Sequence, residues 1–235
     1  LESMNALMQV LDHTFQATRK DVAGKSRFRT IVGIVVFAKH VWPLLSQQFQ
    51  LNLTKWTSLV RAWIDLLCRI GEWAFQLLAP ESTVACGSFA DVDSTLAALS
   101  EAGDVIGEER SHPPLPGQDD VKEYILSLAW RTISSTSDFL GIAFVHLPIA
   151  NEGASCDNSM PTAAVLKISD FFRAVLLGVR HRGVIESCAA GLAQFCARLL
   201  TSNSKEVSSI PLKVLRTSLD FVGSNTAVSV TRRGA

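Results

Sequence analysis

The chain has 235 residues, 48% hydrophobic and 19% charged, which is too apolar for a disordered segment and sufficient for a substantial core. Its formal net charge is zero, so the chain as a whole offers no electrostatic reason to expect nucleic acid. The charges are nevertheless uneven, with Lys+Arg minus Asp+Glu of +4 over residues 1–79, −8 over 80–124, −2 over 125–161 and +6 over 162–235.

Two helical stretches are predicted first, about Glu2–Val22 and Arg27–Gln50, the second kinked or broken at Pro43. The most apolar run, Ile31–Ala38, is cut by Lys39, His40 and Pro43, which predicts no membrane span. From Thr54 to Ala79, Trp56, Leu59, Val60, Trp63, Leu67 and Ile70 recur at three- and four-residue steps, with Arg61, Asp65, Arg69 and Glu72 opposite. This predicts a long amphipathic helix, stopped by Pro80, with Asp65 paired to Arg69 one turn on.

Residues 80–120 are dominated by Pro, Gly, Ser and acidic residues and predict a loop or linker, with a short helix around Asp91–Ala102. The stretch "SHPPLPGQDD" (Ser111–Asp120) reads as non-helical throughout, and its carboxylates lack the order of a calcium loop. Helical spacing resumes at Val121, Ile125 and Leu128 and runs past Trp130, until the hydroxyl run Ser134–Ser137 predicts a break near Asp138. After a polar loop, about Pro148–Pro161, Val165, Ile168, Phe172 and Val175 form the stripe of another helix. His181-Arg182-Gly183 is the turn to the next, which carries Val184, Cys188, Phe195 and Leu199, together with a small-residue surface of Ala189, Ala190, Gly191 and Ala193. These two helices are predicted to pair antiparallel. A last helical pattern from Pro211 carries Leu212, Leu215, Leu219 and Val222 and ends in a turn at Gly223-Ser224-Asn225.

No run alternates with period two for long enough to argue a sheet. Helix pairs with short turns predict an all-α, HEAT/armadillo-like solenoid of antiparallel pairs, a fragment of a longer array. Its parts are helical repeats over 1–79, an acidic Pro/Gly-rich linker over 80–120, and helical repeats over 121–235.

None of the common cofactor, nucleophile or metal motifs occurs, which predicts a non-catalytic protein with no cofactor and no metal. Cys68, Cys86, Cys156, Cys188 and Cys196 are odd in number and form no C-x-x-C pair. They predict a reducing, cytoplasmic compartment, with Cys188 and Cys196 as core residues. The five histidines are scattered, and the five tryptophans, Trp42, Trp56, Trp63, Trp73 and Trp130, read as packing. Arg180, His181 and Arg182 occupy one turn at the expected C-terminal end of a helix. There they either complement the helix dipole or form part of a basic ridge able to meet phosphates. Arg232 and Arg233 follow the expected turn and are predicted to open another helix, where positive charge opposes the dipole. An internal acid, an RNA phosphate and an acid on a partner protein are all compatible with them.

Three stretches, "LAWRTISSTSDFLG" (Leu128–Gly141), "VRHRGVIESCAAGLAQFCARLL" (Val179–Leu200) and "TRRGA" (Thr231–Ala235), together resemble the THADA-like family of large helical-repeat proteins. Gly234 stands where that family's third motif has serine. The resemblance covers about residues 120–235 and implies a non-catalytic, regulatory subunit that partners a Rossmann-fold tRNA 2'-O-ribose methyltransferase. It further implies that this subunit positions tRNA for methylation at the first nucleotide of the anticodon loop. Arg232 and Arg233, with Arg180 and Arg182 behind them, are the residues it points to for RNA or partner contact. A helical-repeat scaffold for protein–protein interaction without RNA contact is the alternative.

Overall fold

Apolar residues at helical spacing fold the chain into α1 (Glu2–Lys20), α2 (Lys25–Gln48), α3 (Leu53–Leu78) and α4 (Gln118–Val145). These are followed by α5 (Thr162–Gly178), α6 (Arg182–Leu200), the single turn α7 (Lys205–Ser208) and α8 (Ile210–Thr231). The computed structural model describes residues 2–20, 25–48, 53–78, 118–145, 160, 162–179 and 181–231. The expected linker helix at Asp91–Ala102 lies outside the described residues.

The helices alternate between two rows. α2, α4 and α6 lie side by side in the same direction: Arg29 meets Tyr124 and Lys39 meets Asp138 across α2 and α4. Ser134 meets Ser187 and Phe144 meets Phe195 across α4 and α6. α1, α3 and α5 form the second row, in the opposite direction, with Asp12 against Arg69 and Lys167 against Asp65. α8 packs on α5 and α6. One core runs through all of it, so the helices on either side of residues 79–117 bury their apolar faces together.

α3 follows the predicted stripe, but Thr57, Leu66 and Cys68 are also buried, because a helix inside a row has neighbours on several sides. Its predicted Asp65–Arg69 pair forms at 3.2 Å. Asp65 also accepts from Lys167 at 2.8 Å, and Arg69 reaches Asp12 at 3.5 Å, so one charge chain ties α1, α3 and α5. The hydrogen bond from Lys167 holds the Asp65 carboxyl below its ordinary value of 3.8, against the opposing effect of burial. A carboxylate with a depressed folded-state pKa stabilises fully above its unfolded value and loses that contribution as pH falls through the folded one. Asp65→Asn should therefore flatten the loss of stability as pH falls below about 4. Urea unfolding at stepped pH measures this, and an unchanged slope in the variant would contradict it.

Four expectations are corrected. α2 continues through Pro43: the proline removes one backbone donor, but Val35, Ala38 and Trp42 are fully buried and hold the helix on the core. α4 begins at Gln118, inside the stretch expected to be non-helical, because the proline cluster ends at Pro116. It also runs unbroken through Asp138. Here Thr132 Oγ1 donates back to the Leu128 carbonyl at 2.8 Å, Ser134 bonds Ser187 at 2.6 Å, and Asp138 pairs with Lys39 at 3.1 Å. The hydroxyl run is thus a narrow packing face rather than a break. α8 runs past Gly223 to Thr231, since one glycine costs a helix only about 1 kcal/mol relative to alanine.

α5 and α6 do pack together, but the most extensive interface of α6 is with α4, parallel to it. Of the small residues expected to allow close approach, only Gly191 is buried, while Ala189, Ala190 and Ala193 face outward. By length and composition, Arg27–Leu45 and Arg182–Leu200 both reach the range of a membrane span, which the interrupted Ile31–Ala38 run did not predict. Both pack on α4 through the polar pairs Lys39–Asp138 and Ser134–Ser187.

Candidate functional site

The first two motif stretches form one unit, because α4 and α6 run parallel and meet along their length. At its start the Trp130 and His181 rings stack, with centroids 4.3 Å apart and planes 23° from parallel. His181 is the N-cap of α6, and its Nδ1 accepts a long, 3.4 Å hydrogen bond from the Val184 backbone N–H. An accepting Nδ1 leaves the proton of the neutral ring on Nε2, available as a donor.

Beside this stack an open groove of about 610 Å³ lies between α2, α4 and the first turn of α6. Val32, Val36 and Val184 supply its apolar surface, and Ser127, Ser134 and Ser135 supply hydroxyls. Arg131 lines it too, exposed and without an ion-pair partner among the described residues. Among the described residues no carboxylate lines the groove.

Of the four arginines predicted from sequence, only Arg182 is described, while Arg180, Arg232 and Arg233 lie outside the described residues. Arg182 is the first residue of α6, with its side chain 91% exposed and bonded to Glu186 at 2.7 Å. It was expected to complement a helix C-terminus; instead it stands at an N-terminus, where its charge opposes the dipole and Glu186 offsets it. The premise that Arg232 follows a turn also falls, because α8 is continuous to Thr231.

Trp130 corrects another expectation: half-buried, it forms a wall of the groove as well as packing on the core. The signal was present in the sequence, since Ser127, Trp130, Arg131 and Ser134 recur at three- and four-residue steps and make a polar stripe on an otherwise apolar helix. Among the described thiols, Cys68 and Cys188 are inert by contrast. Burial pushes Cys68 and Cys188 up to about 12 and also raises Cys196. Native protein treated with iodoacetamide at about pH 8 should leave Cys68 and Cys188 unmodified while unfolded protein reacts at both. Rapid labelling of either peptide in the native state would contradict their burial.

A family model described as THADA/TRM732, DUF2428 matches residues 58–235. The chain belongs to the THADA/TRM732 family. The tRNA (32-2'-O)-methyltransferase regulator THADA of Gallus gallus is 28% identical over 120 residues, covering 50% of this chain and 6% of that protein. The regulator of the same name from Mus musculus is 25% identical over 155 residues, covering 64% of this chain and 8% of that protein. The chain therefore spans less than a tenth of the length of these relatives. No solved structure matches it. Within this THADA/TRM732 chain the matched range takes in α3 to α8, and so the Trp130–His181 stack, Arg131 and Arg182. Val32 and Val36, on the α2 side of the groove, precede it.

Proposed function

We propose that this chain is part of a non-catalytic regulatory subunit that partners a Rossmann-fold tRNA 2'-O-ribose methyltransferase in the cytoplasm. It positions tRNA so that the first nucleotide of the anticodon loop reaches the catalytic partner. Membership of a family whose relatives are named as regulators of a tRNA (32-2'-O)-methyltransferase is the observation that carries this reading. The alternation of helices between two parallel rows supports a HEAT/armadillo-like solenoid, which offers a long surface to a long ligand. The regulator's contribution is then orientation: holding two reactants in register removes entropy from the barrier without supplying any reacting group. Arg180, Arg182, Arg232 and Arg233 are assigned to RNA or methyltransferase contact.

Removing the full-length protein from cells should abolish ribose methylation at the first anticodon-loop nucleotide, read by mass spectrometry of purified tRNA. Re-expression should restore it, and a version with Arg232 and Arg233 reversed to glutamate should not. Methylation that persists without the protein would sink the reading. A protein-only scaffold is favoured by one observation, the exposed apolar face of α8 at Leu212, Leu215 and Leu219. Salt separates the two, because phosphate contacts make tRNA affinity fall steeply as ionic strength rises.

A further inference from the structure

We infer that the groove between α2, α4 and the start of α6 is a subsite for an unpaired nucleotide of an RNA strand. The Trp130–His181 stack is its aromatic wall and Arg131 is the cation facing the phosphate. This rests on the preceding reading that the protein handles tRNA, and adds where one nucleotide is held and by which residues.

Three kinds of group converge here, and together they select the ligand. Positive charge comes from Arg131, which has no ion-pair partner among the described residues, and from the amino-terminal turn of α6, whose Gly183 lines the groove. His181 already takes the Val184 and Ile185 N–H groups, so this N-terminus offers an anion chiefly its positive dipole end. The nearby carboxylates do not cancel this field, because Asp138 is neutralised by Lys39 and Glu186 by Arg182. The half-buried indole of Trp130 and the exposed imidazole stacked on it supply a planar surface, with the His181 Nε2–H as a donor. Ser127 and Ser135 add hydroxyls that both donate and accept, and Ser134, whose proton goes to Ser187, adds an acceptor, as the edges of bases and a ribose 2'-hydroxyl require.

The volume sets the size of the ligand. About 610 Å³ is the room of a small-molecule site and accommodates one nucleotide, whereas a duplex keeps its bases stacked inward. Bases of loops and single strands are free to splay onto aromatic side chains. An acidic peptide would share the charge, but its carboxylates bring no aromatic face to the stack, and the apolar surface of three valines is small for a protein anchor.

The test uses the full-length protein and two RNA probes, an anticodon stem-loop and the same strand annealed to its complement, with binding followed by fluorescence anisotropy. The stem-loop should bind more tightly than the duplex. Arg131→Gln and Trp130→Ala should each weaken the stem-loop about tenfold, with Trp130→Phe closer to the parent. A 4-thiouridine placed in the loop should crosslink to the peptide carrying Trp130. Arg131 is exposed, so Arg131→Gln reports even if Trp130→Ala fails to fold. Unchanged stem-loop affinity in Arg131→Gln and no crosslink would overturn the subsite, while retained protein-dependent methylation would leave the proposed function standing. Variants that release the methyltransferase but bind RNA normally would also overturn it, marking the groove as a protein-docking site. A protein that binds no tRNA would overturn both.

Discussion

Trp42→Ala should destabilise the protein by about 3–5 kcal/mol, the range for emptying a large aromatic site in a packed core. Trp42 is fully buried on α2 and lies 4.9 Å from Trp56, 6.3 Å from Trp63 and 5.1 Å from Phe139, ring centre to ring centre. One side chain therefore joins α2 to α3 and α4, and its neighbours cannot collapse into the space without moving three helices. Such a loss is a large fraction of a domain stability of about 5–15 kcal/mol. Trp42→Phe should cost much less. It keeps most of the ring contacts and deletes an indole N–H that is buried with no partner among the described residues, an orphan worth about 1–3 kcal/mol. Urea unfolding of the parent and both variants gives the comparison. A loss in Trp42→Ala of under about 1 kcal/mol would mean that the aromatic cluster does not couple the rows.

Gly191→Ala should destabilise by about 2 kcal/mol although it adds a better helix former. A Cβ at Gly191 would overlap the Ser137 carbonyl oxygen and come within 3.1 Å of the Phe172 ring, and one at Gly141 would come within 2.7 Å of the Gly191 Cα. The nearest obstruction is backbone at each glycine, so it cannot swing away as a side-chain tip would. Overpacking of this kind costs about 1–3 kcal/mol, and a rigid backbone neighbour places it at the upper end. From this the roughly 1 kcal/mol gained by replacing a helical glycine is subtracted. Gly33 is the internal control, because nothing lies within 4 Å of a Cβ built there. Gly33→Ala should therefore stabilise by about 0.5–1 kcal/mol. Equal effects at the two sites would mean that α4 and α6 do not approach as closely as the structure places them.

The groove was harder to foresee than the helices that frame it. Sequence reasoning assigned Trp130 to the core by its apolar character, and His181 and Arg182 to a turn ending a helix. Both assignments are local, whereas the groove exists only where α2, α4 and α6 meet, from residues as far apart as Val32 and Val184. The hydroxyl run in α4 misled for the same reason. Ser and Thr weaken an isolated helix by competing for backbone hydrogen bonds, yet here they let a neighbouring helix lie close and bond across the gap, as Ser134 does to Ser187.

The amino-acid order by itself determined the all-α class, the course of α3, the Asp65–Arg69 pair and the likeness of three stretches to one family. All but the likeness follow from spacing at three and four residues, which acts within a single helix; the likeness rests on the motif stretches themselves. Tertiary structure alone decided that α2 survives Pro43, that α4 runs through Asp138, and that Arg182 opens a helix rather than closing one. It alone also laid the motif stretches side by side, with Trp130 on His181. Each of these depends on burial against a distant segment, and a packed core supplies several kcal/mol where local propensity supplies only about 1.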